Sequence, residues 1–198
     1  MDIVLIRHGR TDVNEKGCFG GSTDTGLSIR GIKEVENLKL HIKDIDFDCI
    51  YASPMIRALQ TVKILGFDYI IDDRLREIDF GIFEGLSYKD IEKKYPKEYE
   101  KWNTDYLNYR FINGESLMDV FERACDFLRS VDKNNKRILI VTHGGVIRCI
   151  LSEVFKSRDY FYKFKIDYAA ANIISYDDDF MFIKGINCIS NIKNLINN

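Results

Sequence analysis

Short apolar runs alternate along the chain with longer stretches in which apolar residues recur at helical spacing. The runs cover residues 3–6, 47–52, 69–71 and 137–142. They are too short for helices and rich in β-branched residues, so they predict strands buried on both faces. Helices are predicted from Ser28, as N-cap, to Ile42, from Ser53-Pro54 to Leu65, and over residues 117–131 and 146–155.

The remaining segments refine this α/β pattern. Residues 9–26 are polar and rich in glycine, and they predict a loop. Residues 171–176 and 180–186, separated by three aspartates, predict a hairpin. We expect the tail from Asn187 to be marginally ordered. The order of the elements predicts three α/β/α layers around a mostly parallel central sheet with a C-terminal hairpin.

A charged stretch rich in tyrosine, residues 87–109, predicts two short helices broken near Pro96. We expect residues 86–114 to form a small helical cap inserted over the sheet edge, within a single domain of residues 1–198. The aromatic side chains should pack mainly within the cap, although Trp102, Tyr106 and Tyr109 could also pack on a flat base.

The composition favours a small-molecule partner. The 198 residues, 45% of them hydrophobic, suffice for one sizeable core. A net charge of −2 without a Lys/Arg block argues against nucleic acid, and no apolar run is long enough to span a membrane. The five cysteines form no C-x-x-C pair and no signal peptide precedes the first strand, so we expect free thiols in a reducing cytoplasm.

Charged and titratable residues follow several of the predicted strands. Arg7 and His8 come directly after the first strand, Glu77 follows the third, and His143 follows the fourth. Arg57 lies in the first turn of a predicted helix, where backbone N–H groups attract anions. Because the carboxyl ends of parallel strands meet at one edge of a sheet, we expect these side chains to lie together.

This grouping predicts a phosphate site. Two guanidinium groups present planar donor forks that match phosphate oxygens, and Gly144-Gly145 lets backbone N–H groups approach the same anion. One neutral histidine can attack phosphorus, the other can donate a hydrogen bond to the developing charge, and a carboxylic acid can protonate the leaving oxygen. A metal bound by His8, His143 and carboxylates is disfavoured because the arginines would repel it, so we expect neither metal nor cofactor.

Several motifs follow one another at domain-compatible spacing over nearly the whole chain. They comprise residues 5–11 with Asn14, the 20–27 loop, residues 53–61, Glu77 with residues 80–81 and 84–85, residues 114–116 and residues 141–145. Together they resemble the histidine phosphatase superfamily, also called the phosphoglycerate mutase-like superfamily. The resemblance implies the phosphoglycerate mutase-like fold.

The resemblance also implies a role for each residue. His8 would become the phosphohistidine, Glu77 would be the proton donor, and Arg7, Arg57 and His143 would hold the phosphoryl group. The full set expected to bind substrate is Arg7, Asn14, Gly20, Gly21, Ser22, Arg57, Glu77, His143 and Gly144.

Within the superfamily, the short cap and residues 113–116 are most similar to the α-ribazole-5′-phosphate phosphatases of cobalamin biosynthesis, whereas true mutases carry a longer insertion. The resemblance implies a metal-independent phosphomonoesterase acting on α-ribazole 5′-phosphate. Arg10, Cys18 and Gly26 depart from the family pattern. We expect Arg10 near the mouth of the site, where it would attract a second anionic group.

Three alternative functions stay open: a broad-specificity small-molecule phosphatase, a phosphoglycerate mutase or phosphatase, and a non-catalytic protein that binds a phosphorylated ligand. The last would be favoured by loss of His8, Arg57, Glu77 or His143, and all four residues are present. The sequence leaves both a monomer and a homodimer open.

Overall fold

Within residues 1–177 and 180–196, which the computed structural model describes, six strands form one sheet. Their order is β3-β2-β4-β1-β5-β6; β1 to β4 are parallel, and β5 and β6 are antiparallel to their neighbours. This confirms the mostly parallel sheet with a C-terminal hairpin. Residues 178 and 179, in the predicted hairpin turn, lie outside the described part of the chain. The strands are β1 (Asp2–Arg7), β2 (Cys49–Ala52), β3 (Ile70–Ile71), β4 (Arg137–Thr142), β5 (Ala171–Asp177) and β6 (Phe180–Cys188).

Helices fill the connections between the strands. Short 3₁₀ turns at Asp73–Leu75, Gly81–Phe83 and Arg158–Lys163 supplement them. The α-helices are α1 (Asp12–Glu15), α2 (Ile29–Ile42), α3 (Ile56–Leu65), α4 (Tyr88–Lys94), α5 (Pro96–Thr104), α6 (Leu117–Ser130), α7 (Gly144–Glu153) and α8 (Ile192–Ile196).

The central strands separate two apolar cores. In β1, Ile3 and Leu5 belong to one core and Val4 and Ile6 belong to the other, and all four are fully buried. Helices α6 and α7 cover the first face of the sheet, and α2, α3 and α8 cover the second. Burial on both faces explains why β1 is a continuous apolar run, and the three-layer fold is confirmed.

The starts of two helices differ from the prediction. Helix α3 begins at Ile56 with Met55 as N-cap. The Ser53 hydroxyl accepts from the Met55 N–H at 3.4 Å and lies 2.8 Å from Nε2 of His143. Helix α7 begins at Gly144, directly after His143, and not at Val146. Gly144 and Gly145, which were predicted to lie between the strand and the helix, therefore form the first turn of α7.

Two segments expected to be irregular contain regular structure. The 9–26 loop includes α1, which begins with a capping box between Thr11 and Asn14. In the C-terminal tail, β6 runs to Cys188 and α8 buries Ile192 and Ile196 against the second core. The expectation of a marginally ordered tail is wrong for the described residues, because these two apolar side chains tie the tail down.

The cap forms as two short helices, with α4 ending at Lys94 and Pro96 at the first position of α5. Trp102 is buried and packs edge-to-face on Phe19, and its ring centroid lies 5.8 Å from that of Phe83, so it joins the cap to the 9–26 loop and to the body of the protein. Among all the helices described, none is long and apolar enough to cross a bilayer.

The end of β1 packs unusually closely on α2. A Cβ at Gly9 would lie 2.6 Å from the Gly31 carbonyl oxygen, and one at Gly31 would lie 2.1 Å from that of Arg10. Only glycines permit this backbone contact. It fixes the chain directly after His8 relative to α2.

Candidate active site

His8 is a buried, neutral imidazole at the end of β1. Its Nδ1 lies 2.7 Å from the carbonyl oxygen of Gly9, and since a carbonyl can only accept, Nδ1 carries the proton and Nε2 keeps its lone pair. Burial first, and then the charges of Arg57 and Arg7, hold the pKa of His8 well below its ordinary value. His8 therefore presents an unprotonated, nucleophilic Nε2.

His143, at the end of β4, has the opposite tautomer. Nε of Arg57 donates to its Nδ1 at 3.2 Å, so the proton of the neutral ring lies on Nε2, which donates to the Ser53 hydroxyl at 2.8 Å. Its ring centroid lies 5.0 Å from that of His8. Burial, followed by the charge of Arg57, holds the pKa of His143 well below its ordinary value.

Arg57 is almost completely buried, at 2% exposure. Besides its bond to His143, its guanidinium donates to the carbonyl oxygens of Gly20, Gly21 and Thr23. These bonds use at most three of its four Nη hydrogens, so the guanidinium keeps donor capacity as well as its charge. Arg57 thus joins the loop after β1 to the histidine after β4.

Arg7 is oriented by Tyr168, a residue that sequence reasoning missed. Its Cζ lies 3.5 Å from the centroid of the Tyr168 ring, and its Nη1 donates to the Ile166 carbonyl at 2.5 Å. Its Nε is buried without a hydrogen-bond partner among the described residues. A buried donor of this kind is expected to be satisfied by a bound anion.

Glu77 lies at the N-terminus of α7. Its Oε2 accepts from the Gly145 N–H at 3.2 Å. A Cβ at Gly145 would lie 2.3 Å from Oε1 of Glu77, so glycine is needed for this approach. Glu77 and Gly144 both line the cavity that Arg7 lines, which places a carboxyl group where a leaving oxygen could be protonated.

The three residues of the 20–23 loop predicted to bind substrate have different surroundings in the structure. Gly20 lines the cavity, but Gly21 and Ser22 do not. The N–H groups of Gly21 and Ser22 donate to the Glu84 carboxylate instead, and the Ser22 hydroxyl donates to Asp79. These two residues therefore shape the loop and do not present donors to the cavity.

The cavity beside these groups has a volume of about 210 Å³. Asn14 lines it, and because its Oδ1 accepts from Thr11, its amide NH₂ is the group left for a ligand. Most of the other lining side chains are apolar or aromatic: Cys18, Phe19, Ile78, Phe80, Trp102, Tyr106, Phe111, Leu117, Phe161, Tyr162 and Tyr168.

Two arginines have places that the sequence did not indicate. Arg10 does not line the cavity; its Nε pairs with Glu34 at 2.9 Å and its Cζ lies 4.5 Å from the Tyr168 ring centroid. The expectation that Arg10 attracts a second anion at the mouth is not supported, because Arg10 does not line the cavity and its Nε is bound to Glu34, which also pairs with Arg30 at 3.1 Å. Arg148, one turn after Gly144 on α7, does line the cavity.

Comparisons with known proteins agree with this geometry. The chain belongs to the histidine phosphatase superfamily (branch 1), whose family model matches residues 3–189. It is thus a phosphatase of this superfamily. The sequence is 31% identical over 187 residues to phosphoserine phosphatase 1 of Hydrogenobacter thermophilus. This alignment covers 90% of this chain and 88% of that protein.

Two further proteins are similar to this chain. The human 6-phosphofructo-2-kinase/fructose-2,6-bisphosphatase 4 is 34% identical over 76% of this chain, which spans only 32% of that protein. The crystal structure of the α-ribazole phosphatase from Shigella flexneri superimposes with a TM-score of 0.89 at 26% identity, covering 96% of this chain and 98% of that one.

We expect the free energy of unfolding to fall as the pH is lowered from about 7 to 5.5. His8 and His143 have pKa values well below the ordinary value when folded, so in this range the unfolded chain binds more protons and stability is lost as pH falls. Each buried histidine can contribute up to about 1.4 kcal/mol per pH unit. Urea unfolding across this range measures the slope.

Two variants serve as reference for this measurement. His143→Asn should reduce the slope, whereas Asn37→Gln, exposed on α2, should leave it unchanged. A slope equal to that of the wild type in His143→Asn would contradict the assignment of His143 as a buried neutral group.

Proposed function

We propose that this protein is a metal-independent phosphomonoesterase that works through a phosphohistidine on His8, with α-ribazole 5′-phosphate as the leading substrate. The observation that carries the mechanism is the orientation of His8. Its Nδ1–H is bound to the Gly9 carbonyl, which leaves Nε2 free to attack beside two arginines. A small-molecule phosphate monoester is the proposed partner.

In the first step, the lone pair of His8 Nε2 attacks phosphorus and the bond from phosphorus to the leaving oxygen breaks. Arg7, Arg57 and the Asn14 amide supply donors to the phosphoryl oxygens, and His143, whose Nε2 carries a proton, is the proposed donor to the developing charge. Glu77, initially protonated, gives its proton to the leaving oxygen. The products are the alcohol and a phosphorylated His8.

In the second step, water attacks the phosphohistidine. Glu77, now a carboxylate, accepts a proton from this water, and the bond from phosphorus to Nε2 breaks. Phosphate leaves, and His8 and Glu77 regain their starting protonation states. The short cap favours this hydrolysis over mutase chemistry, since a mutase must shield the intermediate from water.

The lining of the cavity supports a substrate with a flat apolar body. Trp102, Phe111 and Tyr162 line the same cavity as Arg7 and Glu77, and aromatic rings pack well on a heterocyclic base. Trp102 belongs to the cap core as well, so it is both packing residue and cavity wall. The structural likeness to the Shigella flexneri α-ribazole phosphatase also supports this substrate.

Phosphoserine is the second candidate substrate, and Arg148 is the observation that favours it. Arg148 lines the cavity, and its Nε donates to the Phe164 carbonyl at 2.9 Å. No ion pair joins Arg148 to a carboxylate within the described ranges, so its charge is available to a carboxylate of the substrate. The similarity to a phosphoserine phosphatase agrees with this candidate.

Replacing Glu77 tests the mechanism. Glu77→Gln should lower kcat for an alkyl phosphate by about 10²- to 10⁴-fold, because an alkoxide needs a proton to leave. p-Nitrophenyl phosphate should lose far less, since nitrophenolate leaves unprotonated. Steady-state kinetics on both substrates measures the difference, with Glu122→Gln, exposed on α6, as the control. Equal losses on the two substrates would remove Glu77 from the acid role.

A substrate comparison distinguishes the two candidates. We expect kcat/KM for α-ribazole 5′-phosphate to exceed the values for phosphoserine and 3-phosphoglycerate. Arg148→Gln should leave the first value nearly unchanged and lower the other two about tenfold or more, because a charge-assisted hydrogen bond is lost. Arg129→Gln, exposed on α6, is the matched control. If phosphoserine or 3-phosphoglycerate is the best substrate, the α-ribazole assignment is wrong.

A further inference from the structure

Two oppositely charged side chains hold the 20–23 loop from its two sides. On one side, the Glu84 carboxylate accepts from the N–H groups of Gly21, Ser22 and Thr23 at 2.9 to 3.1 Å. It also accepts from the Thr23 hydroxyl at 2.6 Å and from the N–H of Phe80 at 3.1 Å. Five donors therefore converge on one half-buried carboxylate.

On the other side, the loop turns its carbonyl groups toward Arg57. Nη2 of Arg57 donates to Gly21 at 2.7 Å and to Gly20 at 3.3 Å, and Nη1 donates to Thr23 at 3.0 Å. The N–H groups thus point at an anion and the carbonyl groups at a cation. The peptide dipoles of the loop are aligned between these two charges, and each charge stabilises the orientation that the other requires.

The loop has little freedom to adopt another shape. A Cβ at Gly21 would lie 1.8 Å from the Ile78 carbonyl oxygen and 2.7 Å from Oε1 of Glu84, so the backbone is in direct contact with both. Because the guanidinium of Arg57 is planar and rigid, three fixed carbonyl acceptors determine its plane. That plane in turn aims its Nε at Nδ1 of His143.

We propose that Glu84 is a positioning residue that acts on the phosphoryl site through the 20–23 loop and Arg57. The inference rests on the proposed function, since it requires Arg57 to bind the transferring group. Glu84 itself does not line the cavity and touches neither histidine. Glu84 can reach the site through the loop and Arg57, or through Phe80, whose N–H donates to it and which lines the cavity. A dependence of its effect on Arg57 distinguishes the two routes.

A double-mutant cycle tests the inference with p-nitrophenyl phosphate as substrate and orthovanadate as inhibitor. Glu84→Gln keeps the shape of the side chain but turns an NH₂ group toward the loop donors. It should lower kcat/KM by about 10- to 100-fold, as expected when a binding group is misplaced by about 1 Å, and weaken orthovanadate inhibition to a similar degree. In an Arg57→Lys background, which cannot bind three carbonyls as a fork, Glu84→Gln should change either value by less than about twofold.

Two controls separate positioning from stability. Asp119→Asn removes a similar set of hydrogen bonds, from Ser116 and Arg110 at the start of α6, and should lower Tm while leaving kcat/KM unchanged. Thr23→Val removes only the hydroxyl donor to Glu84, and it should show a smaller effect with the same dependence on Arg57. It replaces Glu84→Gln in the cycle if that variant does not fold.

The outcomes for Glu84 and for the proposed function are distinguishable. An unchanged kcat/KM in Glu84→Gln, or an equal loss in the wild-type and Arg57→Lys backgrounds, would overturn the positioning role. Wild-type activity in Arg57→Lys would instead contradict the proposed function, because the Arg57 guanidinium would then not be needed to bind the phosphoryl group.

Discussion

The burial of the Arg57 guanidinium is the constraint on which the rest of the site depends. A charged group at 2% exposure must have partners for its donors. The chain supplies three backbone carbonyls from the 20–23 loop and Nδ1 of His143. The loop keeps that shape because Glu84 binds its N–H groups, so a residue outside the cavity helps to organise the cavity.

The same buried charges set the state of the two histidines. Burial and the neighbouring arginines keep both imidazoles neutral, and backbone or guanidinium partners select a different tautomer for each. His8 presents a lone pair to the site, and His143 carries a proton on Nε2. Two identical side chains at equivalent strand ends are thereby given a nucleophilic role and a donor role.

The strands and the residues at their carboxyl ends could be predicted because burial on both faces produces continuous apolar runs. This places Arg7, His8 and His143 at one edge of the sheet without knowledge of side-chain contacts.

Tyr168 and Arg148 were missed because only the folded chain brings them to the cavity. Gly21 and Ser22 were assigned to binding because the 20–27 loop is one of the motifs of the family resemblance, and nothing in the sequence shows that Glu84 occupies their N–H groups. The tail was misjudged because its two buried isoleucines stand in a polar context.

Trapping the intermediate tests the central claim most directly. Wild-type protein mixed with substrate labelled in its phosphate and quenched in alkali within the first turnover should carry an acid-labile, base-stable label, which peptide mass spectrometry should map to His8. His8→Ala should form no adduct and lose turnover, whereas His41→Ala, exposed on α2, should behave as the wild type. A label on another residue, or full activity in His8→Ala, would contradict the account.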